Sequence, residues 1–137
     1  MDVPKIARIG FIGAGWWATS NHMPVLSVRS DVEFTGVCRL GERQLQRVKN
    51  HFGFSYATDN FRDLIANCEL DGIIVSSPHP LHYEHSKIAL EAGIPVMCEK
   101  PLATRADHAR ELVRIAEENN LPLVVPYGWH HKPFIQK

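Results

Sequence analysis

Two rhythms of apolar residues alternate along this chain: short dense runs, and longer stretches with apolar positions every three or four residues. The first run, Ile6 to Ile12, has Ile9 and Phe11 in phase with Ala7 and reads as a strand. A helix is expected from about Gly15, with Pro24 inside it. A proline there removes a hydrogen bond and clashes with the preceding turn, so a break or kink is expected near His22-Met23. Val25, Leu26 and Val28 would continue the apolar face. Val32 to Cys38 reads as strand two. Glu42 to Phe52 reads as a polar helix with one stripe of Leu45, Val48 and Phe52, closed by Gly53. Ser55 to Ala57 is a short third strand, and Asn60 to Ile65 a short helix with Phe61, Leu64 and Ile65 inward.

Asp71 to Ser77 is the clearest central strand, a continuous apolar run of the kind covered on both faces. After a rigid Pro78-His79-Pro80 loop, Leu81 to Ala92 is a helix closed by Gly93, and Ile94 to Cys98 is strand five. Thr104 and Asp107 are spaced as a capping box opening a last helix, whose stripe would be Ala106, Ala109, Leu112, Val113 and Ala116. Leu121 to Val125 is strand six. Strands alternating with helices throughout predict an α/β fold, a doubly wound parallel sheet of Rossmann type. Ligands of such sheets bind at the carboxyl ends of the strands, at the switch point. Gly13–Ala18, Arg39, Ser76–His82 and Glu99–Pro101 are expected there.

Composition adds mostly exclusions. The 137 residues fit one domain, and 45% hydrophobic with 22% charged is ordinary for a globular protein. Fifteen basic residues balance 15 acidic ones, so no field recruits nucleic acid or a membrane surface. A signal-peptide pattern and a membrane-spanning run are both missing. Cys38, Cys68 and Cys98 are odd in number and far apart, and read as reduced, mostly buried thiols of a cytoplasmic protein.

The chemistry begins at Gly13-Ala14-Gly15-Trp16-Trp17-Ala18. Gly13 allows a sharp turn, Gly15 lets backbone approach a pyrophosphate, and the small Ala18 lets helix pack on strand. The helix start then offers N–H groups and positive dipole to phosphate. A bare G-x-G-x-x-A is weak evidence; its context here, following a strand, strengthens it. Arg39 ends strand two, where an NAD-binding fold usually carries an acid for the ribose hydroxyls. Arginine instead suits the extra phosphate of NADP, with Arg43 one helical turn on to assist; otherwise Arg39 stacks on adenine or faces water. One of Trp16 and Trp17 is expected near the ligand, the alternative being packing on Tyr127 or Trp129. His79, His82 and His85 recur every third residue, but Pro80 keeps His79 off the helix and no carboxylate or cysteine completes a set, so no metal site is expected. His130-His131 reads as surface.

The glycine turn, Ser77-Pro78-His79-Pro80-Leu81-His82 and Glu99-Lys100-Pro101-Leu102-Ala103 together resemble the Gfo/Idh/MocA oxidoreductases, such as glucose–fructose oxidoreductase and inositol dehydrogenase. Ser77 stands where the family typically has threonine, and the arginine pair often found near Trp129 and His130 is missing. The resemblance implies residues 1–126 as an NAD(P)-binding Rossmann domain, with residues 127–137 beginning the connection to a second α/β domain that this chain lacks. It implies hydride transfer between a nicotinamide cofactor, NADP or NAD, and a sugar, cyclitol or related hydroxyl or carbonyl substrate. A homo-oligomer of the full-length protein would form largely through the second domain. Ser76, Ser77 and Pro78 would line the cofactor, Lys100 would face the reacting carbon as a catalytic donor, Glu99 would hold Lys100, and His82 would lie at the nicotinamide end as a second catalytic group. Pro101 would fix a turn, with a cis bond before it as one option. The competing reading is a non-catalytic dinucleotide-binding or regulatory module, for which Lys100 has no evident use.

Overall fold

In the computed structural model, which describes residues 5–128, six parallel strands form one sheet. The strands are β1 (Ala7–Ile12), β2 (Val32–Cys38), β3 (Tyr56–Thr58), β4 (Gly72–Val75), β5 (Val96–Cys98) and β6 (Leu123–Val124). The helices are α1 (Met23–Ser27), α2 (Glu42–Phe52), α3 (Phe61–Asn67), α4 (His82–Glu91) and α5 (Ala106–Glu118). The sheet order is β3-β2-β1-β4-β5-β6, so the direction of winding reverses between β1 and β4. There the connections leave in opposite directions and open a crevice at the strands' carboxyl ends. This is the doubly wound Rossmann-type fold expected from the strand–helix alternation.

Side-chain alternation divides the core in two. Ile12, Cys38, Ile73, Val75, Val96 and Cys98 pack with Leu64, Ala89, Leu90, Leu112 and Ile115 on the face covered by α3, α4 and α5. Phe11, Phe34, Val37 and Ile74 pack with Met23, Leu45, Val48 and Phe54 on the other face, under α1 and α2. Phe34 and Phe54 stack at 4.8 Å between ring centroids, with Phe11 edge-on to both.

Several local expectations are corrected. No break occurs at His22-Met23. Instead Ala18–His22 widens into a π turn, with the Met23 N–H on the Ala18 carbonyl, and Pro24 follows near the start of α1. The wider turn accommodates a ring that lacks an N–H and would crowd the carbonyl four residues back. Val25 and Val28 are 66% and 85% exposed, and of the proposed face only Leu26 packs on the core. Thr104 and Asp107 form no capping box: α5 starts at Ala106, and the Arg105 guanidinium takes the Asp107 carboxylate at 2.6 and 3.0 Å. On α5, Ala106 and Val113 are exposed, while Ile115, outside the proposed stripe, is buried. β3 lies one residue later than expected, and α3 runs two residues past Ile65. β4 stops at Val75 because Ser76 and Ser77 leave the strand to meet the glycine turn, and β5 and β6 are shorter than their apolar runs. A single-turn helix at His79–Leu81 precedes α4. Gly53 caps α2 as expected, its N–H on the Lys49 carbonyl. His130, His131 and the missing arginine pair's positions lie outside the described residues.

Candidate cofactor site

β1 ends directly against β4. Gly13 has φ +91°, and a Cβ there would lie 2.4 Å from the Ser76 carbonyl carbon and the Ser77 nitrogen. Only glycine fits this position, on conformation and on space. The Gly13 N–H donates to the Cys38 carbonyl at 2.9 Å and the Ser76 N–H to the Ile12 carbonyl at 2.8 Å, so the turn is wedged between β2 and β4. Gly15 differs: a Cβ there would meet nothing within 4 Å. It borders open space, so the protein backbone there is accessible to a pyrophosphate. Ala18 is fully buried beneath the turn, and Thr19 Oγ1 donates to the Gly15 carbonyl at 3.0 Å. The crevice has a volume of about 590 Å³ and runs from Arg39, Leu40 and Asp59 past the glycine turn to Ser76, Ser77 and Pro78. A cradle left open at Gly15 and closed at Gly13 fits an extended pyrophosphate-bearing ligand. Asp59 on its wall was not singled out from sequence, since nothing near it marks the end of so short a strand.

Arg39 lies across the glycine turn. Its Nη1 donates to the Ala14 carbonyl at 2.8 Å and its Nε to the Leu40 carbonyl at 3.1 Å. The guanidinium is thereby oriented, and among the described residues its Nη2 has no partner. Arg43 is exposed on α2, and the groove beside Arg39 is lined instead by Gln44 and Arg47, which the one-turn spacing argument missed.

His82, expected at the nicotinamide end as a catalytic group, makes a bridge between two loops. It is fully buried, with Nδ1 2.7 Å from the Pro101 carbonyl and Nε2 2.8 Å from the Ser77 carbonyl. Neither nitrogen is free to exchange a proton with substrate in this arrangement; the ring ties the loop after β4 to the loop after β5. Its neighbour His85 contacts Ser77 Oγ at 2.9 Å, and burial holds the imidazole below its ordinary pKa. Cys38 and Cys98 are buried free thiols pushed up to about 11 by desolvation. Among the described residues no group of three His, Cys, Asp or Glu is arranged to hold a metal, and no helix is long and apolar enough to cross a membrane.

Glu99 does not hold the Lys100 ammonium. Its carboxylate, 7% exposed, accepts from Trp17 Nε1 and His22 Nε2, both at 2.7 Å, and from the Lys100 backbone N–H at 3.1 Å. Burial raises the pKa of this group, but the hydrogen bonds from Trp17, His22 and Lys100 outweigh it and leave the carboxyl below its usual value. In the sequence His22 marks only the expected kink, and nothing there signals its contact with Glu99. Lys100 is exposed at the end of β5, its ammonium unpaired among the described residues, and the Lys100–Pro101 peptide is cis. Trp16 is 74% exposed at the crevice mouth, and Trp17 packs edge-on to His22.

The family model described as "Oxidoreductase family, NAD-binding Rossmann fold" matches residues 7–127, nearly the whole described chain. The chain belongs to the Gfo/Idh/MocA family. It is 36% identical over 125 residues to the D-glucoside 3-dehydrogenase of Escherichia coli K12, covering 91% of this chain and 35% of that protein. It is 30% identical over 128 residues to the glucose-6-phosphate 3-dehydrogenase of Bacillus subtilis, covering 93% of this chain and 35% of that enzyme. Among solved structures, the WlbA dehydrogenase of Chromobacterium violaceum, with NADH and UDP-GlcNAcA, superposes with a TM-score of 0.90 at 28% identity, over 99% of this chain and 39% of the other. A 3-ketoreductase of Actinomadura kijaniata, with NADP and TDP-benzene, gives 0.87 at 29% identity, over 94% and 39%. The chain thus spans little more than a third of the length of these family members, and it is their NAD-binding Rossmann part.

Proposed function

We propose that this chain is the cofactor-binding portion of an NAD(P)-dependent oxidoreductase acting on a hydroxyl or carbonyl group of a sugar, cyclitol or related compound. The observation that carries this reading is the union, at one switch point, of an open glycine cradle and a lysine unpaired among the described residues. Gly13, Gly15 and Ala18 shape the turn for the pyrophosphate, Ser76, Ser77 and Pro78 form the opposite wall, and Lys100 stands beyond them. When bound, the nicotinamide supplies hydride exchange. Lys100 would donate a hydrogen bond to the substrate oxygen, stabilising charge as it grows there and holding a proton for it. His82 is assigned a positioning role, because its bridge from Ser77 to Pro101 fixes the two loops that carry the wall and the lysine. A regulatory module would need the cradle but not the lysine. The sugar-acting names of the relatives support the substrate class, which a second domain would refine.

Arg39 supports NADP over NAD. Its oriented guanidinium takes the place of the usual acid and suits a 2′-phosphate, so NADPH should bind more tightly than NADH. Titration of the chain with each cofactor, read by nicotinamide fluorescence, tests this. Arg39→Asp should reverse the order. Equal affinities in the unsubstituted chain would remove the assignment.

A further inference from the structure

His82 has no exposed surface, yet both of its ring nitrogens lie against carbonyl oxygens, Nδ1 at 2.7 Å from that of Pro101 and Nε2 at 2.8 Å from that of Ser77. A carbonyl oxygen only accepts. A neutral imidazole carries one N–H and one lone pair, so it satisfies one of these contacts and sets its lone pair against the other oxygen. Turning the ring over puts carbons at both places and loses both hydrogen bonds at a buried site. The doubly protonated ring donates to both oxygens, and the two distances are those of charge-assisted bonds.

The surroundings suit a cation. The Glu99 carboxylate, itself buried, borders the same recess from the loop after β5, and the exposed Lys100 follows it. His79, exposed on the single-turn helix, stands edge-on at 5.4 Å. His85, one turn on along α4, is held below its ordinary value chiefly by burial, so at neutral pH it adds no like charge. The Cys98 thiol at the end of β5, pushed up to about 11 by burial, is neutral as well.

We propose that His82 is a buried imidazolium, a positioning residue whose second proton clasps the loop that carries Ser77 to the loop that carries Lys100. The inference deepens the positioning role given to His82 above and rests on that reading of the site. Loss of either proton turns one N–H into a lone pair facing an oxygen, which releases one of the two loops. The clasp is closed at neutral pH and opens as alkali removes the proton.

Long-range nitrogen–proton correlation spectra of the isotope-labelled whole chain distinguish a protonated ring nitrogen from a bare one, with His82 assigned through its own backbone resonances. At pH 7 both of its nitrogens should be protonated, where a solvated histidine, with a value of about 6.5, is mostly neutral. As the pH is raised the ring should lose one proton in a single step, and the amides of Ser77 and Leu102, one in each loop, should shift with the same midpoint. Across that step the affinity for the tighter-binding of NADPH and NADH, read by calorimetry, should fall about tenfold, as expected for re-ordering one loop residue on binding. His82→Gln, with a single nitrogen to donate from, should begin at the weaker affinity and show no step. Should that variant not fold by circular dichroism, the pH series on the unsubstituted chain carries the test alone. A bare His82 nitrogen at pH 7 would overturn the inference, as would loop shifts that follow His79 or Lys100 instead, or an affinity unchanged across the step. Protonation as expected with neither cofactor bound at any pH would sink the dinucleotide reading and leave the clasp standing.

Discussion

At the amino edge of the sheet, Arg8 of β1 donates its backbone N–H and its Nε to Asp71 at 2.9 and 3.0 Å, and Asp71 returns its own N–H to the Arg8 carbonyl at 2.8 Å. Glu69 also pairs with Arg8, and Lys5 reaches Asp71 at 3.3 Å. Every charge in this cluster is paired. At the carboxyl edge of the same two strands the pattern inverts. Gly13 meets Ser76 with no side chain between them, Gly15 faces open space, and Lys100 stands unpaired among the described residues. The lesson is one of division of labour: one edge uses its polar groups to hold β1 to β4, and the other keeps them available. Where the second edge does bury a charge, at Glu99, that charge is itself a fastening for groups that face outward.

The largest effect is expected at Lys100. In a polypeptide that joins this chain to a substrate domain, Lys100→Met should cut turnover by about 10²–10³ with cofactor affinity unchanged, the usual cost of losing an oriented donor to a developing oxyanion. Steady-state kinetics beside a cofactor titration would show it, and near-normal turnover would demote the lysine to a solvated loop residue. Next is the glycine pair. Gly13→Ala should destabilise the chain by roughly 3 kcal/mol or more, through positive φ and a backbone clash, whereas Gly15→Ala should leave the melting curve in place and weaken only dinucleotide binding. Equal behaviour of the two in thermal melts and titrations would contradict the assignment of one to closure and the other to access.

The amino edge gives the smaller effects. Asp71→Asn should lower the melting temperature by roughly 3–6 °C and leave cofactor affinity untouched, the modest size reflecting a pair still partly open to water. Its pH dependence has a definite sign. Hydrogen bonds from the Arg8 side chain and backbone hold the Asp71 carboxyl well below the usual carboxylate range. Its contribution is therefore complete above the unfolded-state value of about 4 and is lost as acid protonates the folded state. Melts from pH 7 to pH 3 should show a smaller decline in Asp71→Asn than in the unsubstituted chain; parallel curves would remove Asp71 from the account.

The elements, their parallel order and the switch point were legible because each rests on local patterning: dense runs for covered strands, stripes for helices, and a glycine turn joining the first pair. The loops of the site were placed for the same reason, since each follows a recognisable strand. What was not legible lies in contacts between distant segments. Glu99 is 82 positions from Trp17 and 77 from His22, and no spacing rule couples them. The expectation that Glu99 holds the adjacent Lys100 side chain followed sequence proximity, while at the end of a strand successive side chains point opposite ways. Pro24 signalled trouble correctly, but sequence alone does not distinguish a kink from a π turn that absorbs the same lost hydrogen bond. The capping box at Thr104 failed to a rival local contact, the Arg105–Asp107 pair.

Amide chemical-shift mapping of the isotope-labelled chain during titration with NADPH reads directly which edge of the sheet receives the ligand. The result expected is a saturable set of shifts at Gly13, Gly15, Ala18, Arg39, Ser76, Ser77, Glu99 and Lys100, with Arg8, Glu69 and Asp71 unmoved. Shifts centred on the amino edge, or none at saturating NADPH and NADH, would contradict it.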